Sequence, residues 1–164
     1  MLERRFDGKM ISLQKHIDIA AKLAANLFEQ FGEVSPLVHA IDANGTHLIL
    51  AVPQLGGSDE EKDIISEQLR RTFAEKNVVQ YVIIVEAWFL SLPPGSSFER
   101  PSQSPHRLEA ISISAESKTA ALAMMIEIKR PAGGKPHLIR EEAYTPSLQA
   151  GRLTGLLRPT ETHH

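Results

Sequence analysis

The sequence predicts an α+β domain: two helices packed on a mostly antiparallel sheet of about six strands, in the order α-β-β-α-β-β-β-β. Three observations carry this reading. Two stretches place apolar residues at helical spacing, each behind a serine that can cap it. An Asn-Gly pair separates two short apolar runs, the pattern of a tight hairpin. The remaining apolar runs are strand-length and joined mostly by short connections, which favours antiparallel neighbours.

The elements follow in order. Residues 1–10 read as an irregular lead-in. Ser12 opens a helix to about Phe31, with Leu13, Ile17, Ala20, Ala24, Leu27, Phe28 and Phe31 as its apolar stripe and Gly32 as its stop. Leu37–Asp42 and His47–Val52 form a hairpin around Asn44-Gly45. Pro53 to Gly57 breaks the pattern. Ser58 and Glu61 make a capping box, and a second helix runs to about Lys76, burying Ile64, Ile65, Leu69 and Phe73. Val78–Leu90 is apolar in both alternating sets, so it belongs at the centre of the sheet with both faces covered. Its connection from the second strand, through the second helix, is the one long enough to be a parallel crossover.

A Pro/Ser-rich loop occupies Ser91 to about His106. Arg107–Ala115 and Thr119–Lys129 then form a hairpin. With a turn centred on Ser117-Lys118, Ile111 and Ile113 share a bulky face with Leu122, Met124 and Ile126. The other face carries Ala110, Ser112, Ser114, Ala121 and Ala123. It is small and flat, suited to a close partner or to solvent. His137–Tyr144 is a polar edge strand. One domain spans 1–144, and 145–164 reads as a loosely structured C-terminal tail ending in His163-His164.

Composition narrows the setting. Apolar residues make up 42% of the 164 and charged residues 23%, a globular balance. The net charge of −2 disfavours a dedicated nucleic-acid binder. The absence of cysteine excludes disulfides, thiol catalysis and cysteine-ligated zinc. The first ten residues lack the apolar stretch of a signal peptide, and no apolar run approaches the roughly 18 residues of a membrane span. A cytoplasmic protein that binds no membrane and carries no cofactor is expected.

Several constellations could carry chemistry. His39, Asp42 and His47 lie close on one hairpin. A two-residue turn puts Asp42 across from His47 and turns His39 away. A three-residue loop ending at Gly45 puts His39 and His47 on one face and turns Asp42 away. Neither register gathers three ligands, so no metal is expected. Glu86 interrupts the most apolar run, where a carboxylate must be paired, hydrogen-bonded or protonated. His106, Arg107 and Glu109 enter the next strand and could converge on Glu86 and Trp88. That is either an acid/base cluster or an Arg–Glu pair closing the sheet end. Gly56-Gly57-Ser58 precedes a helix, but Asp59, Glu60 and Glu61 in its first turn would repel a phosphate. Lys129, Arg130, Lys135, His137 and Arg140 form a basic stretch that solvated edge-strand charge explains more simply than nucleic acid.

Val85-Glu86-Ala87-Trp88, Pro105-His106-Arg107-Leu108-Glu109-Ala110 and Ser114-Ala115-Glu116 resemble the core of a group of short proteins encoded in bacterial and phage genomes. The resemblance covers about thirty central positions. That group has no assigned activity, so it transfers no catalytic residue; it implies that the Glu–Trp strand end and the His-Arg-x-Glu strand start belong together.

The leading expectation is a non-enzymatic binding or assembly domain, a homo-oligomer built through the flat Ser/Ala face or the edge strand. The competing one is a small hydrolase-like acid/base enzyme centred on Glu86, His106, Arg107 and Glu109, with Trp88 as a ligand-binding candidate. A third is a phage-associated or nucleic-acid accessory protein using the basic hairpin.

Overall fold

Both helices begin where a serine side chain takes up a free amide hydrogen. Ser12 Oγ accepts from Lys15 N at the start of α1 (Leu13–Phe31), and Ser58 Oγ accepts from Glu61 N at the start of α2 (Asp59–Glu75). Gly32, at φ 74°, ends α1 and donates its N–H to Phe28 O. The computed structural model describes residues 2–5, 10–89, 107–146 and 153–157. The Ser91–His106 loop and His163-His164 lie outside them.

Seven strands form one sheet: β1 (Leu2–Arg5), β2 (Leu37–Asp42), β3 (Thr46–Ala51), β4 (Val78–Phe89), β5 (Leu108–Ser117), β6 (Ala121–Lys129) and β7 (His137–Arg140). Their order is β1-β3-β2-β4-β5-β6-β7, and every neighbouring pair is antiparallel. The six expected strands are present in an α+β fold. β1 is an addition, because the lead-in pairs with β3. Leu-Glu-Arg-Arg has no apolar alternation to announce a strand; pairing satisfies the β3 edge instead. β3 and β4 both run antiparallel to β2 and so parallel to each other, with α2 carrying the chain across.

The helices lie on opposite faces. Ile17, Ala20, Ala24 and Phe28 of α1 pack with Val82, Ile84, Ile111, Ile113, Met124 and Ile126. Leu69 and Phe73 of α2 pack with Val38, Leu48, Tyr81 and Ile83. β4 is therefore covered on both sides, as its uninterrupted apolar run requires. Two expected core residues are not in the core: Phe31 is 70% exposed and Ile64 54%. The chain turns at Gly32, and Val34 fills that end of the α1 core in place of Phe31. In α2 the buried row is Ile65, Leu69 and Phe73, spaced by four, which leaves Ile64 a step round the helix.

The β5–β6 turn falls one residue later than expected, with Ser117 N bonded to Ala120 O. Ile113 faces Met124 and Ile111 faces Ile126. The shift moves each pairing by two residues, so the bulky and flat faces stay as the sequence assigns them.

Residues 153–157, within the stretch read as a loose tail, lie against the α2 side of the sheet. Leu156 is 1% exposed and belongs to the α2 core. Tyr81 Oη donates to Glu116 Oε2 at 2.6 Å, Gly155 N donates to the same oxygen at 2.8 Å, and Arg70 Nη1 donates to Gly155 O at 2.7 Å. Burial, then the bond to Glu116, pushes the Tyr81 hydroxyl well above the usual phenol range. Leu156→Ala should cost about 3 kcal/mol, as for other buried leucines. Urea denaturation checks this, and an unchanged midpoint would show that the segment adds nothing to the core.

Candidate functional site

β4 outruns the helix packed on it. Its buried stretch ends at Ile84; beyond that, Val85 is half-buried and Glu86 exposed. Glu86 is therefore not the buried carboxylate that its apolar neighbours suggest. Its Oε1 accepts the Val34 N–H at 2.7 Å, tying the chain after α1 to the strand. An exposed carboxylate bonded to a backbone amide meets its solvation needs, and the charge of Glu86 also acts on Arg130.

The β4–β5 register assembles the expected neighbourhood. Trp88 pairs with Glu109 and Glu86 with Ile111, so Glu86, Trp88 and Glu109 share one face. Trp88 is 42% exposed, and the Arg107 guanidinium lies 4.3 Å from its ring centroid, a cation–π contact. Glu109 Oε2 accepts from Arg130 Nε at 2.8 Å, and this bond holds the Arg130 pKa above its ordinary value. Arg130 in turn lies 5.8 Å from the Phe28 ring. Glu86, Trp88, Glu109 and Arg130 border an open cleft of about 340 Å³. Four of the five sequence candidates are thus neighbours, and Arg130 joins them across the β5–β6 pair. His106 lies outside the described residues.

The hairpin histidines form a second constellation. The β2–β3 turn takes the three-residue register, in which Ile41 faces His47 and His39 faces Ile49. Gly45 at φ 78° makes this possible. Asp42 caps the turn: its Oδ1 accepts from Asn44 N and Thr46 N, both at 2.8 Å. His39 and His47 then lie diagonally on the α1 side of the sheet, with His39 Nε2 and His47 Nδ1 2.8 Å apart. The sequence reading missed the third member. His16 of α1 is 0% exposed, its Nε2 is 3.2 Å from His39 Nδ1, and its Nδ1 is 2.8 Å from Gln80 Nε2. The signal was its spacing: His16 stands three residues after Leu13 and four before Ala20, on the buried stripe.

Gln80 Nε2 can only donate, so His16 Nδ1 accepts from it. Each ring then carries its proton on Nε2; His16 donates it to His39 Nδ1 and His39 donates its own to His47 Nδ1. Burial first, then the neighbouring histidines, lowers His16 to about 3; burial first, then His47, lowers His39 to about 4. Burial also lowers His47, against a smaller rise from Asp42. The row is neutral at pH 7. Its rings meet edge to edge in sequence rather than converging, and among the described residues no group of three His, Asp or Glu is arranged to hold a metal.

The other candidates make local contacts. Glu61, hydrogen-bonded back to Ser58, lies where a phosphate would approach α2. In the basic stretch, Lys129 pairs with Glu127 at 2.8 Å, Arg130 with Glu109, and Arg140 with Asp18 at 2.6 Å. No described helix is long and apolar enough to cross a membrane.

Comparison with protein-family models, curated protein sequences and solved structures finds no match. The reading of this chain therefore rests on its own geometry.

If Glu86 serves the backbone, Glu86→Ala should lower stability by about 1 kcal/mol, and Trp88→Ala, at a half-exposed position, by less. Chemical denaturation of the two variants makes the comparison. The reverse order would mean that Trp88, not Glu86, secures this end of the sheet.

Proposed function

We propose that this protein is a non-enzymatic binding and assembly domain that pairs with a second copy of itself through the flat half of its sheet. One observation carries the reading. The helices sit on opposite faces and over different strands, α1 on β4–β6 and α2 toward β2–β4. Among the described residues, no helix covers the α2-side surface of β5, β6 and β7. Ser112, Ser114, Ala123 and Met125 are half-buried there, with Val85 beside them and Ile139 exposed.

A second copy suits this surface because a two-fold interface brings a patch against itself, and any net charge would then repel. The charges on it, Glu127 and Lys129, neutralise each other. Small side chains let two sheets approach to about 10 Å. Eight paired residues of β5 and β6 at about 3.4 Å each, across three strands about 4.8 Å apart, give a patch of roughly 400 Å². That is below the roughly 800 Å² per partner of a standard stable interface, so the dimer is weak and concentration-dependent.

The acid/base reading has less support. Glu86 is engaged by Val34 N–H, Glu109 by Arg130, and the cleft between them is open. The nucleic-acid reading is weakened by the ion pairs that neutralise three of the basic stretch's cations.

Sedimentation over a concentration series tests the proposal. The wild type should move from monomer to dimer at high micromolar concentration. Ser112→Arg and Met125→Arg, directly paired positions, should keep it monomeric with the same circular dichroism, while Ile64→Arg on the outside of α2 should not. A wild type that stays monomeric throughout, or dimers untouched by both arginines, overturns the reading.

A further inference from the structure

The row Gln80–His16–His39–His47 ties α1 to three strands, β4, β2 and β3, through side chains that are all but buried. We infer that this row is an acid-sensitive latch: it holds the first turns of α1 on the sheet while neutral, and it releases them when the row takes up a proton.

The geometry is matched to neutral rings. Each ring presents one donor and one acceptor, and at each of the three junctions a donor meets an acceptor. An added proton puts a donor against a donor at one junction. A flip of the Gln80 amide can restore the contact at His16, but the charge stays buried in an amide and imidazole environment. The groups facing the row are few. From α1 there is His16 itself, in the first turn, where the helix dipole is positive and further disfavours a cation. β4 supplies Gln80, which is uncharged. β2 and β3 supply His39, His47 and, at the turn, Asp42, whose charge acts on His47 and whose Oδ1 already accepts two backbone amides. Arg4 of β1 holds the register position opposite His47. Among the described residues, no carboxylate acts on His16 or His39.

The sign of the linkage follows. In the docked state His16 and His39 are lowered to about 3 and about 4; on release His16 regains the ordinary 6.5, and His39 rises toward it with His47 still beside it. The released state binds more protons, so docking is fully favoured above pH 6.5 and weakens as pH falls toward those values. For His16 alone the release constant should rise more than about twenty-fold between pH 7 and pH 5; His39, which keeps His47 beside it, can raise this to at most several hundred-fold. Release is local because the α2 core lies on the other side of the sheet and shares no residue with the α1 core. The row also stands apart from the flat self-association face, so neither proposal depends on the other.

Amide hydrogen exchange of the full chain, corrected for the intrinsic pH dependence, tests the latch. Between pH 7 and pH 5 the amides of Ile17–Ala21 should lose protection by up to several hundred-fold, while those of α2 keep theirs. Gln80→Glu gives His16 a carboxylate partner and should shift the loss to lower pH; His16→Gln, which cannot titrate, should shrink it. Imidazole signals of the wild type should show His16 and His39 neutral as long as α1 is docked. Equal loss in α1 and α2 would mean ordinary acid unfolding and overturn the latch. So would unchanged protection, or rings that titrate near 6.5 with α1 still docked.

Discussion

Strand β4 presents Val82 and Ile84 to one side and Tyr81 and Ile83 to the other, all buried, and the chain has to cover both. Burying one such side chain gains about 1.5–3 kcal/mol, so neither face can be left to water. One helix cannot do this. α1 therefore takes one face and α2 the other, and the remaining strands extend the sheet to either side of β4. The layers, the two separate cores and the half of the sheet that neither α1 nor α2 covers all follow from that division.

The same strand carries a buried polar group on each face. Gln80 and Tyr81 are adjacent, so they point to opposite faces. Gln80 ends the histidine row beneath α1; Tyr81, bonded to Glu116, meets the segment 153–157 beside α2. Buried polar groups need partners, and these supply register rather than bulk packing. His16 fixes where α1 lies along β4, and Gly155 fixes where the later chain lies on the sheet. No buried side-chain nitrogen or oxygen among the described residues lacks a partner.

Much of this was legible in the sequence because periodicity and turn chemistry are local. The two serine caps, Gly32 and Asn44-Gly45 mark boundaries that the structure keeps within a residue or two. The faces of β5 and β6 survived a misplaced turn because the error was even. What was not legible depends on distance along the chain. Glu86 looked buried because its neighbours are apolar, but burial is set by where α1 ends. Leu2–Arg5 has no strand pattern of its own and owes its conformation to β3. The histidine row was half visible as His39 and His47; its third ring comes from a helix 23 residues upstream, and pairing across that gap is a tertiary fact. Phe31 and Ile64 sat at helical spacing with core residues, and spacing alone does not say where a stripe stops.

The docking of Leu156 bears on how the domain is made. A ribosome builds the chain from its N-terminus, and elements fold as they emerge. Everything needed for the α1 core has been synthesised once β6 and β7 are out. The α2 core is different: until residue 156 appears, Tyr81 and Glu116 lack the Gly155 amide, and Phe73 and Ile83 lack the leucine that completes their cluster. The nascent domain thus finishes one side of its sheet before the other, and the last contact closes over a sequence separation of 75 residues. The α2 side is thus the last to be completed as the chain is made, although the α1 side closes over separations at least as long.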